Sequence, residues 1–198
     1  MLKRPGQNVL AGRFNVKLVP TAIAGVFVAE TNAFQDSRGA FARLFCEKEM
    51  AGAVGERKIQ QINQSRTAAV GAVRGMHFQL APHAEMKMVR CLKGRVWDVA
   101  IDLRAGSPTF LRHPAQELSA ANALMLVIPE GCAHGFQVLE PDAVLLYLHT
   151  ASYTPSAEGG VRFDDPALNL LWPLPVTDLS ERDKKHPLLT KNFLGINL

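Results

Sequence analysis

A chain of 198 residues, 47% hydrophobic and 20% charged, has the size and apolar content of one globular domain, and Gly 15 with Pro 12 make it turn-rich without being collagenous or low-complexity, so disorder throughout is excluded. Lys+Arg 22 against Asp+Glu 18 leaves a formal charge of +4, scattered along the chain, which suits general solubility or a phosphate-bearing small molecule and does not mark a nucleic-acid binder. No apolar run follows the basic start MLKRPGQNVLAGRF and none later reaches spanning length, and Cys46, Cys91 and Cys132 are odd in number and far apart, so a cytoplasmic protein without a signal peptide, membrane span, disulfide framework or zinc knuckle is expected.

From Val16 to Tyr153 short apolar or alternating runs are broken by turn residues about every ten positions, the spacing of a sandwich or barrel. Strands are predicted at 16–19, 26–29, 41–45, 58–64, 70–78, 86–92, 95–103, 124–128, 135–139 and 144–149. Asp36-Ser37-Arg38-Gly39, Lys93-Gly94, Pro129-Glu130-Gly131 and Glu140-Pro141-Asp142 supply the turns. One helix is predicted over 47–54, and 119–123 reads as a single turn. This ratio of strands to helices predicts an all-β fold, a double-stranded β-sandwich or jelly roll with short peripheral helices. The chain reads as a single domain, 1–198, with a core over about 23–153. Beyond Tyr153 the prolines crowd and alternation fades, so 154–198 is expected to wrap the sandwich as a tail. Within it Ser180-Glu181-Arg182-Asp183 has the form of an N-cap with an acid three residues on, the start of a short helix.

Two stretches concentrate reactive side chains. VRGMHFQLAPHAEMKMVRCL, from Val73 to Leu92, carries Arg74, His77, Gln79, His83, Glu85 and Lys87 in one strand, loop and strand. On an extended chain His77 and Gln79 share a face, whereas Arg74 is three positions from His77. A lone histidine in such a strand is equally readable as a hydrogen-bonded core residue. IPEGCAHGF, from Ile128 to Phe136, makes a tight turn that aims His134 inward, and Tyr147 sits in the apolar strand LLYLH, either as a core residue or as a proton donor. The pair of stretches resembles the cupin motifs. His77, His83, Glu85 and His134 are the set that could hold a divalent ion there, but Gln79 stands where a second strong ligand is expected, so no metal and no other cofactor is predicted. Hydrolase elbow, P-loop and dinucleotide fingerprint are all missing, which leaves hydrolysis, phosphoryl transfer and hydride transfer without a motif.

DSRGAF, INQS, VRGMHFQ, K-x-V-R-C, DVAIDLRAGSPTF, IPEGCAHGF, YTPSAEGG and DDPALNLLWPL, in this order over about 23–183, closely resemble the dTDP-4-dehydrorhamnose 3,5-epimerase family. The resemblance implies a metal-independent, cupin-like jelly roll, usually a homodimer, acting on nucleotide-linked 4-keto-6-deoxy sugars. The carbon-4 ketone acidifies the hydrogens at carbons 3 and 5, so epimerisation needs a base on one face, enolate stabilisation, and an acid on the other. By resemblance His77 is the base, Asp183 orients it, Lys87 with Arg74 stabilises the enolate, and Tyr147 is the acid. Arg38 and Arg74 match phosphate or nucleotide positions, with Arg38 reaching across the dimer. Gln61, Asn63, Gln79, His134, Glu158 and Arg182 are expected substrate contacts, and Phe34 and Tyr153 are candidate walls for a ring.

The chain departs from the family's pattern at Arg43, where a Glu is usual, at Leu148, where a Lys usually follows the Tyr, and at Ser152-Tyr153, where an aromatic pair is common. The nucleotide, the sugar and the carbon inverted are thus left open. A metal-dependent cupin isomerase or dioxygenase and a non-catalytic sugar-binding cupin stand as the alternatives. Neither nucleic acid nor membrane is expected as a partner.

Overall fold

The computed structural model describes residues 15–198; the reading of the N-terminal fourteen as free of a targeting segment lies outside the described residues. No helix among those described is long and apolar enough to cross a membrane. Among the described residues there are thirteen strands: β1 Val16–Pro20, β2 Phe27–Thr31, β3 Ala33–Asp36, β4 Gly39–Ala42, β5 Gln61–Thr67, β6 Val73–Gln79, β7 Lys87–Lys93, β8 Arg95–Asp102, β9 Ala115–Ser119, β10 Met125–Ile128, β11 Cys132–Val138, β12 Ala143–His149 and β13 Glu158–Gly160. Two helices accompany them, α1 Glu47–Val54, as predicted, and α2 Glu181–Lys184.

One sheet has six strands in the order β1-β2-β10-β7-β12-β5, the other five in the order β13-β6-β11-β8-β9, and β3 with β4 forms a separate hairpin. From β5 to β8, and again from β10 to β13, successive strands alternate between the sheets, the winding of a jelly roll. The all-β jelly roll expected from the ratio of strands to helices, in the cupin-like form implied by the resemblance, is the fold observed. The sheets begin at Val16 and take in Gly160, wider than the 23–153 core read from sequence. Sequence reading missed β3, β9 and β13. AQELS, β9, has little apolar alternation, and EGG, β13, has almost no side chains to alternate. The strand predicted at 41–45 is the second arm of the hairpin turned by Asp36-Ser37-Arg38-Gly39, shifted to 39–42.

Both outer faces are covered. Met50 and Val54 of α1 pack with Met86, Met88, Met125 and Leu148 against the six-stranded sheet. Over the five-stranded sheet the tail supplies Leu168, Leu170, Trp172, Leu189, Phe193 and Ile196, packed on Met76, Val99, Ile101 and Ala133. The interior changes character from one end to the other, and the period-2 alternation of three strands shows how. Cys91, Val89 and Lys87 follow one another along β7, Leu145, Tyr147 and His149 along β12, and Val138, Phe136 and His134 along β11. The first members belong to the buried core between the sheets, and the last are the polar residues of an open cleft.

One irregularity decides which side chains reach that cleft. β6 and β11 pair His77 with His134 and Arg74 with Phe136, so three steps on β6 match two on β11. This bulge places Arg74 on the side of His77, where strict alternation would have sent it to the other face. Gly75 sits in the bulge with φ +131°, and a Cβ there would lie 2.5 Å from Gly135 Cα. A Cβ on Gly135 would in turn meet Met76 Sδ at 2.4 Å and the Arg74 carbonyl at 2.7 Å, so both glycines are required by the backbone approach. Gly135→Ala is expected to cost about 3 kcal/mol of stability by overpacking against main chain, read as a lowered urea midpoint. Its residual activity should fall further than its folded fraction, because the same spreading parts Arg74 and His77.

Candidate active site

The cleft at the polar end has a volume of about 840 Å³, ample for a nucleotide-sized ligand, and both sheets and the tail line it. His77 projects from β6. Its Nε2 lies 2.8 Å from Asp183 Oδ1, while Asp183 Oδ2 accepts the Gly75 backbone N–H at 3.2 Å. The carboxylate arrives on α2, whose N-cap Ser180 accepts the Asp183 N–H at 3.1 Å, the cap expected from sequence. Burial alone would raise the Asp183 pKa, but the hydrogen bonds from His77, Gly75 and Ser180 and the charge of the imidazole outweigh it and hold the carboxyl far below its ordinary value. An anionic Asp183 fixes the proton of His77 on Nε2 and leaves the lone pair on Nδ1. Arg182 Nη2 also lies 3.3 Å from that Nε2, but its firmer contacts are with Glu158, at 3.0 and 2.9 Å.

Tyr147 stands across from His77 on the other sheet. Its hydroxyl meets Ser65 Oγ at 3.1 Å and its ring is edge-on to His134, 6.3 Å between centroids. Burial pushes the phenol well above its usual pKa, so it stays protonated at neutral pH. Lys87, on β7, donates to the His77 carbonyl at 3.2 Å and pairs with Glu85 at 3.1 Å. Glu85 is bound from its other oxygen by His149 Nδ1 at 2.8 Å. Burial raises the Glu85 pKa, yet His149 and Lys87 together more than offset this and keep it below the ordinary value. Beneath His134 lies the fully buried Asp98, both carboxylate oxygens 3.0 Å from Nε2; burial drives this carboxyl up against the pull of the imidazole.

The other expected site residues divide into three groups. Arg74, held by Thr67 at 2.8 Å, lines the cleft with Gln61, Asn63, His134, Tyr153, Glu158 and Arg182. Tyr153 donates its hydroxyl to Glu158 at 3.0 Å and its backbone N–H to Gln61 at 3.0 Å, which ties the rim together. Gln79 also lines the wall, but its amide is committed to the backbone of His83, Ser152 and Thr154. Phe34 and Arg38 do not reach the cleft: they lie on the β3–β4 hairpin, where Arg38 forks onto Asp36 and keeps its side chain 86% exposed. Arg43 likewise lies outside, paired with Glu49 at 2.5 Å, whose other oxygen takes the Val16 N–H.

Sequence reasoning left Ser65, Asp98, His149 and His186 out of the site. Ser65 and His149 could have been found by alternation, each two positions from a chosen residue, Asn63 and Tyr147. His186 gives no such signal, because only the fold of the tail brings its ring edge-on to His77, centroids 5.5 Å apart. Burial first, and then the neighbouring His77, lower its pKa. The ion-binding set read from the cupin motifs is not assembled. His134 is taken by Asp98 and Glu85 by Lys87 and His149, while His83 is exposed. Among the described residues the one group of three with ligand atoms within 4.8 Å of one another is His77, Asp183 and His186.

An imidazole held by a carboxylate, a lysine beside it and a protonated phenol on the facing sheet are groups able to remove and return a carbon-bound proton. The comparisons with known proteins point the same way. Residues 20–191 match the family model described as dTDP-4-dehydrorhamnose 3,5-epimerase. The chain is 43% identical over 169 residues to the dTDP-4-dehydrorhamnose 3,5-epimerase of Sinorhizobium fredii, covering 85% of this chain and 87% of that protein. The crystal structure of the dTDP-4-dehydrorhamnose 3,5-epimerase from Elizabethkingia anophelis is similar with a TM-score of 0.85 at 39% identity, over 90% of this chain and 99% of that one. The dTDP-6-deoxy-D-glucose-3,5-epimerase of Legionella pneumophila, determined in complex with dTDP-4-keto-L-rhamnose, gives 0.85 at 34% identity, over 93% and 99%.

Proposed function

The chain belongs to the dTDP-4-dehydrorhamnose 3,5-epimerase family and is an epimerase of dTDP-linked 4-keto-6-deoxy sugars, and we propose how its own residues divide that reaction. The observation that carries the proposal is the placement of His77 and Tyr147 on facing sheets with Lys87 beside the first. His77, through the lone pair of Nδ1, takes the proton from carbon 5 or carbon 3 next to the ketone. Electrons move into the carbonyl, and the Lys87 ammonium stabilises the resulting enolate oxygen, worth about 3 kcal/mol for one such donor in a water-poor site. Asp183 keeps the proton of His77 on Nε2 and balances the imidazolium formed. Tyr147 then returns a proton from the opposite face, which inverts the carbon.

Arg74 and Arg182 serve the diphosphate, with Gln61, Asn63, Tyr153 and Glu158 holding the rest of the nucleotide sugar and His134 contacting the sugar. Gln79 supports the wall through its backbone contacts. Phe34 and Arg38 act at the cleft of a second subunit in a homodimer; their place on a hairpin outside the cleft and the exposure of the Arg38 side chain support this. The setting is cytoplasmic, consistent with three free cysteines. Proton NMR of dTDP-4-keto-6-deoxyglucose in deuterated water tests the assignment. Wild-type protein is expected to wash deuterium into carbons 3 and 5, and Tyr147→Phe to keep the first exchange while product formation falls about 100-fold. Both steps untouched in Tyr147→Phe would move the acid to another residue.

A further inference from the structure

The group formed by His77, Asp183 and His186 has an unused member. His186 Nε2 is buried without a hydrogen-bond partner and lies 3.7 Å from Asp183 Oδ1. Its ring is seated against Gly160, where a Cβ would fall 2.4 Å from it, and β13 pairs Gly160 with His77. Two imidazoles and a carboxylate are the donors zinc prefers, and tetrahedral ligands at about 2.0–2.1 Å from the ion lie roughly 3.3 Å apart. The separations here are 2.8 Å from His77 to Asp183 and 3.7 Å from His186 to Asp183, with every ligand atom within 4.8 Å of the others. Shifts of side-chain size bring the three onto one ion.

We propose that His77, Asp183 and His186 form a zinc site whose occupation switches the enzyme off. His77 Nε2 can ligate only if its proton moves to Nδ1, and Nδ1 then has no lone pair for the substrate. Zinc binding and proton abstraction are thus mutually exclusive at one imidazole. Arg182 opposes the ion, with Nη2 3.3 Å from His77 Nε2 and Nε 3.4 Å from Asp183 Oδ1. It is half exposed and already held by Glu158, so it can turn outward onto that carboxylate as the ion enters. Magnesium, a hard ion seeking six oxygens, does not suit two nitrogens and one carboxylate.

The inhibitory consequence rests on His77 being the base, whereas the binding does not, and the two are measured separately. Chelator-treated, dialysed protein is titrated with Co2+, followed by its visible absorption, and then with Zn2+ in competition. Wild type is expected to take up one equivalent with a tetrahedral spectrum. His186→Gln should bind zinc about tenfold or more weakly. Arg182→Gln should bind it more tightly, an opposite shift that does not depend on how well the His186 variant folds. Zinc should stop deuterium exchange at the concentration at which it binds, a chelator should restore it, and magnesium should do neither. No saturable equivalent, or unchanged binding in both variants, overturns the site and leaves the base standing. One equivalent bound with exchange untouched overturns the switch and with it the role of His77.

Discussion

His77→Asn protein, incubated with dTDP-4-keto-6-deoxyglucose in deuterated water, is expected to show no exchange at carbon 3 or carbon 5 over times in which wild type exchanges both. The loss should be about 10³-fold or more, the upper part of what a positioned general base contributes. Asparagine is too short to replace Nε2, but Asp183 keeps the Gly75 N–H and Arg182 as partners, so the fold is expected to survive, checked by an unchanged circular dichroism spectrum. Both carbons should fail together, because one imidazole serves each in turn as the sugar is re-presented. Loss at a single carbon would mean two bases, and retained exchange at both would remove His77 from the chemistry.

Asp183→Asn isolates the carboxylate from the imidazole. An amide at 183 no longer requires the proton on His77 Nε2 and cannot balance an imidazolium, so kcat is expected to fall about 10³-fold, in line with other dyads that lose their anion. The pH dependence of stability supplies an independent readout. The folded Asp183 has a pKa well below its unfolded value. Its contribution is therefore complete above the unfolded carboxylate range, near pH 4, and is lost as pH falls through that range and below it. Wild type should lose stability on acidification from pH 5 downwards more steeply than Asp183→Asn, measured by urea midpoints at each pH. Parallel curves would show that the carboxylate is not tied to its partners in solution.

Much of this site was legible in the chain because alternation and turn chemistry are local. His77, Lys87, Tyr147 and His134 lie on strands whose inward positions follow from period 2, and the Ser180 cap announces the helix that carries Asp183. Three features were not legible, each for a physical reason. Arg74 shares the face of His77 through a bulge, and Gly75 hints that the strand is irregular without saying which way it turns. Asp98 and His186 are brought to their partners by sheet register and by the fold of the tail, which leave no periodic trace. Phe34 and Arg38 carry the family's pattern but occupy a hairpin outside the cleft, a placement that depends on how β3 and β4 leave the six-stranded sheet.

The gradation along β7, β11 and β12 separates two demands that many enzymes must reconcile at the same residues. Val138, Leu145 and Cys91 close one end and supply burial, whereas His134, His149 and Lys87 at the other contribute polarity and shape. Substitutions that retune which sugar is accepted fall where little apolar area is at stake, so the substrate range can drift over evolutionary time without drawing on the free energy that keeps the sandwich folded. Tyr147 straddles the divide, packed on the core and open through its hydroxyl to the cleft. It is at this middle tier that a change in chemistry would also have to be a change in packing.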